Sequence, residues 1–419
     1  MSTYLLTYLF WLSLFTITHL SLFLPQIIRL IKNQGFYRLI YLLLILLQII
    51  SIASFKKEVG DVMLFSGAGW HLRHRIDFYW IDSDHSQYPF FPFLIFLHAG
   101  LNWLQENLIT LTFSFLLKLV LLTALHLIAK LIFRTQKTQI KARVQQLRFL
   151  TAPISYAVVL FHGQVDVILL LFFLIAWWLI NQKTPKLKTY LISALSFAAS
   201  IASKTWSVVF LPLTLQKLKN WPTRLVYLVA IAISLLVNIF IYTRIVFGSN
   251  IGTVLQALGS PGGPIGHWGF SLIFRPYLET INKYRLAIFA FGFLFTQVLI
   301  WKQKLNSWTK LLATIIGIYL IIPNWGAQYS FWFLPFFFFN LKQQKSFIGK
   351  IFYLSISLYT SLMYVNIALI NPHKLLGKLN LLLAGLTYLL ALIWWWQLTF
   401  NTQALNLSKQ LLPTQQQKT

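Results

Sequence analysis

A polytopic bundle of transmembrane helices, all-α in class, is the fold this sequence predicts, and three observations predict it. Of its 419 residues 58% are hydrophobic and only 10% charged; long apolar runs recur from end to end; and the basic residues fall in short clusters between those runs. Lipid offers no partner to backbone N–H and C=O groups, so such runs must be helices, and the short alternating segments of a barrel are not visible. The formal charge of +27 then reports topology rather than a nucleic-acid partner, because Lys and Arg mark cytoplasmic loops. With no cysteine in the chain, disulfides and thiolate metal sites are excluded. The start, MSTYLLTYLFWL, lacks a basic n-region and a small-residue cleavage site, so the first span is read as retained.

Taken in order, apolar runs near 4–24 and 38–55 flank RLIKNQGFYR, a basic link that places their join in the cytoplasm. The chain then enters a large first extracytoplasmic loop, 56–107, long enough for short interfacial helices with Trp70, Trp80 and Trp103 at the membrane surface. A run at 108–132 returns to the strongest basic cluster, RTQKTQIKARVQQLR. Two shorter segments, 149–162 and 165–181, meet outside at HGQVD, and after the inner QKTPKLK two more, 189–203 and 205–216, meet outside at SKTW.

A span at 225–246 leads to a second outer loop, 247–285, whose GSPGGPIGHWGF core is rich in turn formers. Runs near 286–301, 311–323, 330–341, 351–370 and 379–399 alternate between inner KQKLNSWTK and KQQKSFIGK and outer NWGAQY and NPHKLLGK, and 400–419 forms a cytoplasmic tail. The expectation is one integral membrane domain of about 11–13 spans, several shorter than the roughly 20 residues of a full crossing. Short crossings imply segments that dip into the membrane or line a cavity. No internal repeat relates two halves of the chain, which weakens a transporter reading.

The chemistry-bearing residues crowd into 60–92, GDVMLFSGAGWHLRHRIDFYWIDSDHSQYPFFP. Of eight acidic residues in the chain, five lie in or beside this stretch: Glu58, Asp61, Asp77, Asp82 and Asp84. His71, Arg73, His74, Arg75 and His85 are interleaved with them. A carboxylate takes a proton from a hydroxyl at neutral pH, and Arg or His holds a phosphate. Asp82-Ser83-Asp84 has D-x-D spacing, which reads as a polar turn, as hydrogen bonding to substrate or, behind these, as a site for Mg²⁺ or Mn²⁺. Asp166 is the sole acid between Thr110 and Leu278; a helix cap and a substrate contact are its two readings.

The order of landmarks resembles the polytopic glycosyltransferases of the GT-C superfamily. They run Gly60-Asp61, then Gln87-Tyr88-Pro89, His162-Gly163-Gln164-Val165-Asp166, Ser203-Lys204-Thr205-Trp206 with Leu211-Pro212, and Gln328-Tyr329 with Trp332 and Leu334-Pro335. The nearest likeness is to the dolichol-linked glucosyl- and mannosyltransferases and their prokaryotic relatives, over roughly 55–340. Where those relatives often carry Tyr-Pro-Pro, this chain has Tyr88-Pro89-Phe90.

The resemblance implies transfer of one sugar, a hexose such as mannose or glucose or else a pentose, from a polyprenyl-phosphate carrier to an acceptor hydroxyl. The acceptor would be a glycan, a lipid or a protein, on the outer face of the plasma (inner) membrane. It implies that Asp61 is the general base of an inverting displacement, against the plainer reading of a solvated loop acid or helix cap. Lys204, His267 and Arg275 are candidates for the leaving phosphate, against lipid headgroups as their partners. Asp82, Asp84, Gln87, Tyr88, Gln164, Asp166, Gln328 and Tyr329 would surround the sugar. The rival class is a transporter or flippase of a lipid-linked saccharide.

Overall fold

The computed structural model describes residues 3–55, 61–81, 90–108, 110–259, 265–369 and 374–400. Among them there is no strand, only an isolated bridge between Ile265 and Asn324. The longer helices are α1 (Thr3–Ser21), α2 (Gln34–Ala53), α3 (Asp61–Arg73), α4 (Phe93–Asn107), α5 (Phe113–Thr135), α6 (Gln139–Thr151) and α7 (Asp166–Ile180). They continue with α8 (Leu187–Ser203), α9 (Trp221–Phe240), α10 (Leu278–Lys302), α11 (Ser307–Ile321), α12 (Phe347–Ala368) and α13 (Lys374–Thr399). Local chemistry sets several starts: the side chains of Asn33, Thr112, Thr138, Asn220 and Asn306 each accept a hydrogen bond from a first-turn N–H.

Among the described residues seven helices are long and apolar enough to cross a membrane, and the bent pair Gln139–Thr151 and Pro153–Phe161 would make an eighth. The chain is an integral membrane protein. Its surface says the same: Leu39, Leu42, Leu46 and Ile50 on α2 and Leu225, Val229, Ile233 and Leu236 on α9 are exposed, a surface that suits lipid rather than water. Three further apolar helices, Asp166–Ile180, Leu187–Ser203 and Ser307–Ile321, are shorter. At about 1.5 Å per residue, α7 is roughly 22 Å long, less than the ~30 Å hydrocarbon core. It is packed in protein instead, with Leu169, Leu170, Phe173 and Leu174 all buried. Burial thus accounts for crossings that look too short in the sequence.

The chain divides into two compact units. One comprises Met1–Gly263, Gly326–Pro335 and Thr360–Leu376, the other Pro264–Trp325, Phe336–Tyr359 and Gly377–Thr419. In the first, α2 and α5 are joined by a polar chain inside an apolar setting: the Tyr41 hydroxyl lies 2.8 Å from His126 Nδ1, and His126 Nε2 lies 2.8 Å from Gln48 Oε1. In the second, Trp268 stacks on Trp325 with centroids 4.0 Å apart and donates to the Tyr319 carbonyl at 2.9 Å.

The stretch expected as a loop carrying short helices contains α3, Phe78–Ile81 and α4. α3 and α4 lie so close that a Cβ on Gly69 would meet the His98 carbonyl carbon at 2.5 Å, and Asn102 donates to the Ser66 carbonyl at 2.8 Å. Gly67, two residues away, faces open space. Gly69→Ala is therefore expected to lower stability by about 1–3 kcal/mol, whereas Gly67→Ala should be neutral or stabilising by up to about 1 kcal/mol. Thermal unfolding of the detergent-solubilised chain reads both.

Candidate functional site

Three helix ends of the first unit carry the site. Asp61 is the first residue of α3, Asp166 the first of α7, and Lys204 follows α8 in extended conformation. Asp166 is wholly buried, and its carboxylate takes three side-chain donors: Lys204 Nζ at 2.9 Å on Oδ2, with Trp332 Nε1 at 2.6 Å and Trp206 Nε1 at 3.3 Å on Oδ1. Burial works against the charge of Lys204, yet Asp166 beside it, with smaller contributions from Tyr329 and Asp61, holds its pKa above the ordinary lysine range. The ammonium also lies 5.3 Å from the Tyr329 ring centre and 5.4 Å from that of Phe90. Trp206 and Trp332 stack with centroids 3.8 Å apart, and Tyr329 sits 4.2 Å from Trp332.

Beside this clamp lies Asp61, a partly buried residue. Gln164, almost fully buried, donates from Nε2 to Asp61 Oδ2, and the same nitrogen is 2.9 Å from His162 Nδ1. An ionised carboxylate only accepts, which fixes the Gln164 amide with its NH₂ toward Asp61. His162 Nδ1 then accepts from Gln164 and from the Tyr364 hydroxyl at 3.2 Å, leaving the ring proton on Nε2. Packing lowers the His162 pKa, and Asp61 opposes that shift. The imidazole is neutral at pH 7.

The turn that presents Gln164 needs Gly163. Its φ is +78°, and an added Cβ would stand 2.9 Å from Val62 Cγ2 and 3.3 Å from Lys118 Cε. Lys118 is 2% exposed, and its charge, like those of Asp61, Asp166 and Lys204, acts on His162. Two acids, two lysines and one histidine therefore share a single electrostatic neighbourhood.

Of the residues singled out in the sequence, the structure gathers Asp61, Gln164, Asp166, Lys204 and Tyr329 here, with Gln328 next to Tyr329 and partly exposed. Asp82, Asp84, Gln87 and Tyr88 lie outside the described residues. His267 and Arg275 belong to the second unit, where both are exposed; Arg275 Nε donates to the Gly266 carbonyl at 3.1 Å, and burial together with Arg275 lowers the His267 pKa. The 71–75 cluster is used locally: Arg73 pairs with Glu106, and the His71 and His74 rings bond to the backbone of their own helix. Among the described residues no group of three or more His, Asp or Glu is placed to hold a metal ion.

Sequence reasoning missed Lys118, although a lone cation in FSFLLKLVLLTALHL is the signal that flags a functional intramembrane charge. It also passed over Tyr364, which nothing local marks. Comparison with family models, with curated proteins and with solved structures gives no match.

The three-donor shell of Asp166 has a measurable consequence. Asp166→Asn leaves Lys204 buried without its counter-charge and should cost about 3–5 kcal/mol, whereas Asp166→Asn combined with Lys204→Gln removes both charges and should recover much of that loss. Thermal unfolding of the three proteins reads the difference; a double variant less stable than the single one would contradict it.

Proposed function

We propose that this chain is an integral membrane glycosyltransferase that moves one sugar from a polyprenyl-phosphate carrier to an acceptor hydroxyl at the outer surface of the membrane. One observation carries the reading. Asp61 is held through Oδ2 by a buried glutamine, while its Oδ1 has no protein donor among the described residues, and the charges around it are the buried Lys118, Lys204 and Asp166. A carboxylate fixed by one oxygen and open at the other is arranged to receive a proton.

In this scheme the acceptor O–H donates to Asp61 Oδ1. As the acceptor oxygen attacks the anomeric carbon, its proton passes to the carboxylate, and the bond from that carbon to the phosphate oxygen breaks on the opposite side. The phosphate leaves with the electron pair, and configuration at the anomeric carbon inverts. In the scheme, Lys204 and Lys118 supply the positive field that opposes the charge developing on the phosphate. The partly exposed Trp206 edge of the indole stack, with Tyr329, offers a flat apolar face to a sugar ring, and Gln328 borders it. Neutral His162 keeps Gln164, and through it Asp61, in one orientation.

The location of the charges favours chemistry over transport. Asp61, Asp166 and Lys204 all sit at helix ends, and Lys118 is within two turns of the start of α5, whereas a carrier needs ionisable groups near the bilayer midplane. The test is transfer in vitro by the full chain in lipid nanodiscs, with polyprenyl-phosphate-linked mannose, glucose and arabinose as donors. Asp61→Asn should lower the rate by about 10²–10⁴-fold. Equal rates for both proteins would remove Asp61 from the scheme, and no transfer from any donor to any hydroxyl acceptor would sink the enzyme class.

A further inference from the structure

The second unit contains a cavity of about 140 Å³ formed by the α10–α11 link, the short helix Leu341–Lys345 and the last turn of α13. Six of the eight residues that line it are polar or basic, Lys304, Asn306, Thr309, Lys342, Gln343 and Gln397, and Leu305 and Leu398 complete the wall. Asn306 caps α11 by accepting from the Thr309 N–H at 2.9 Å, and Asn340 donates to Thr309 Oγ1 at 2.7 Å, so the wall is built rather than loose. The first-turn N–H groups of α11 add a favourable dipole for an anion. Lys304 and Lys342 have no hydrogen bond or ion pair among the described residues.

Charge balance is what makes this cavity more than a patch. The unit's sole acid is Glu279, in the first turn of α10, and the sequence holds no Asp or Glu from 280 to 419. Glu279 is separated from the α10–α11 link by the length of α10, roughly 35 Å. Lys302, Lys304, Lys342, Lys345 and Lys350 therefore have no Asp or Glu near them in the sequence of their own unit. The cavity is also far smaller than the roughly 300 Å³ at which pockets begin to take drug-sized molecules. Its volume suits a single tetrahedral oxyanion.

The geometry points to a phosphate-binding site in this cavity, held by Lys304 and Lys342 with Asn306, Thr309 and Gln397 as hydrogen-bonding partners. Both basic segments that form it, KQKLNSWTK and KQQKSFIGK, fall on the cytoplasmic side by the distribution of Lys and Arg. Basic pockets at that surface take phospholipid headgroups. The same chemistry would take free phosphate. The inference does not depend on sugar transfer.

Native mass spectrometry of the detergent-solubilised full chain tests it, with phosphatidylglycerol and phosphatidylcholine offered at equal concentration and inorganic phosphate as competitor. Phosphatidylglycerol should be retained at least about tenfold better, and Lys304→Gln with Lys342→Gln should abolish that preference, the size expected of two lysines at a lipid surface. Lys345→Gln with Lys350→Gln removes the same charge outside the cavity and should leave retention within about twofold. Displacement by millimolar phosphate identifies the phosphate group alone as the ligand, and resistance to it identifies the lipid headgroup. No preference in the parent chain together with no phosphate binding, or equal losses in the two double variants, would overturn the site. Matching unfolding temperatures for both variants exclude misfolding as the cause.

Discussion

Burying a carboxylate in an apolar helical body costs several kcal/mol unless every acceptor position is answered, and the first unit is arranged around doing so for Asp166. Its two oxygens take one ammonium and two indole N–H groups. The donors come from far apart in the sequence, Lys204 and Trp206 from the break after α8 and Trp332 from the segment after Ala327–Phe331. Two chain segments are thus pinned to the start of α7. Because Lys204 gains its counter-charge only in this geometry, the pinning is mutual. Removing either partner leaves the other stranded.

The same pinning explains where chemistry could occur. Buried α7 is too short to span lipid by itself, and Asp166 is its first residue, at a break between helices rather than within one. The break after Phe161 then turns back through a left-handed Gly163 and delivers Gln164 to Asp61 at the head of α3. α3 is in turn fixed against α4 by the close approach at Gly69. A clamp that is fully satisfied, Asp166 with Lys204, thereby stands beside a carboxylate that is satisfied on one oxygen alone. In the proposed scheme, that asymmetry separates the structural acid from the reactive one.

Much of this was legible in the sequence, and the exceptions have physical reasons. Hydropathy and the spread of Lys and Arg gave an all-helical membrane protein, since lipid leaves long apolar runs no other structure. Asp166 and Lys204 stood out because charges between apolar segments need partners, yet nothing in the sequence paired them, for their bond spans 38 residues. The indoles of Trp206 and Trp332 were invisible as donors, since an aromatic residue in an aromatic-rich chain reads first as packing. Lys118 was lost among its apolar neighbours, although its isolation was the clue. The division into two units, with 326–335 and 360–376 returning to the first, follows from tertiary contacts that no periodicity encodes.

The claim on which the account rests is that Lys204 is withdrawn from solvent into an ion pair with Asp166. Amine-reactive labelling of the full chain in nanodiscs, read residue by residue by mass spectrometry, measures this directly. Lys204 should stay unmodified under conditions that label the exposed Lys345 and Lys350 to completion, and should become reactive in Asp166→Asn. Labelling of Lys204 in the parent chain as fast as those two lysines would contradict the buried pair and the site built on it.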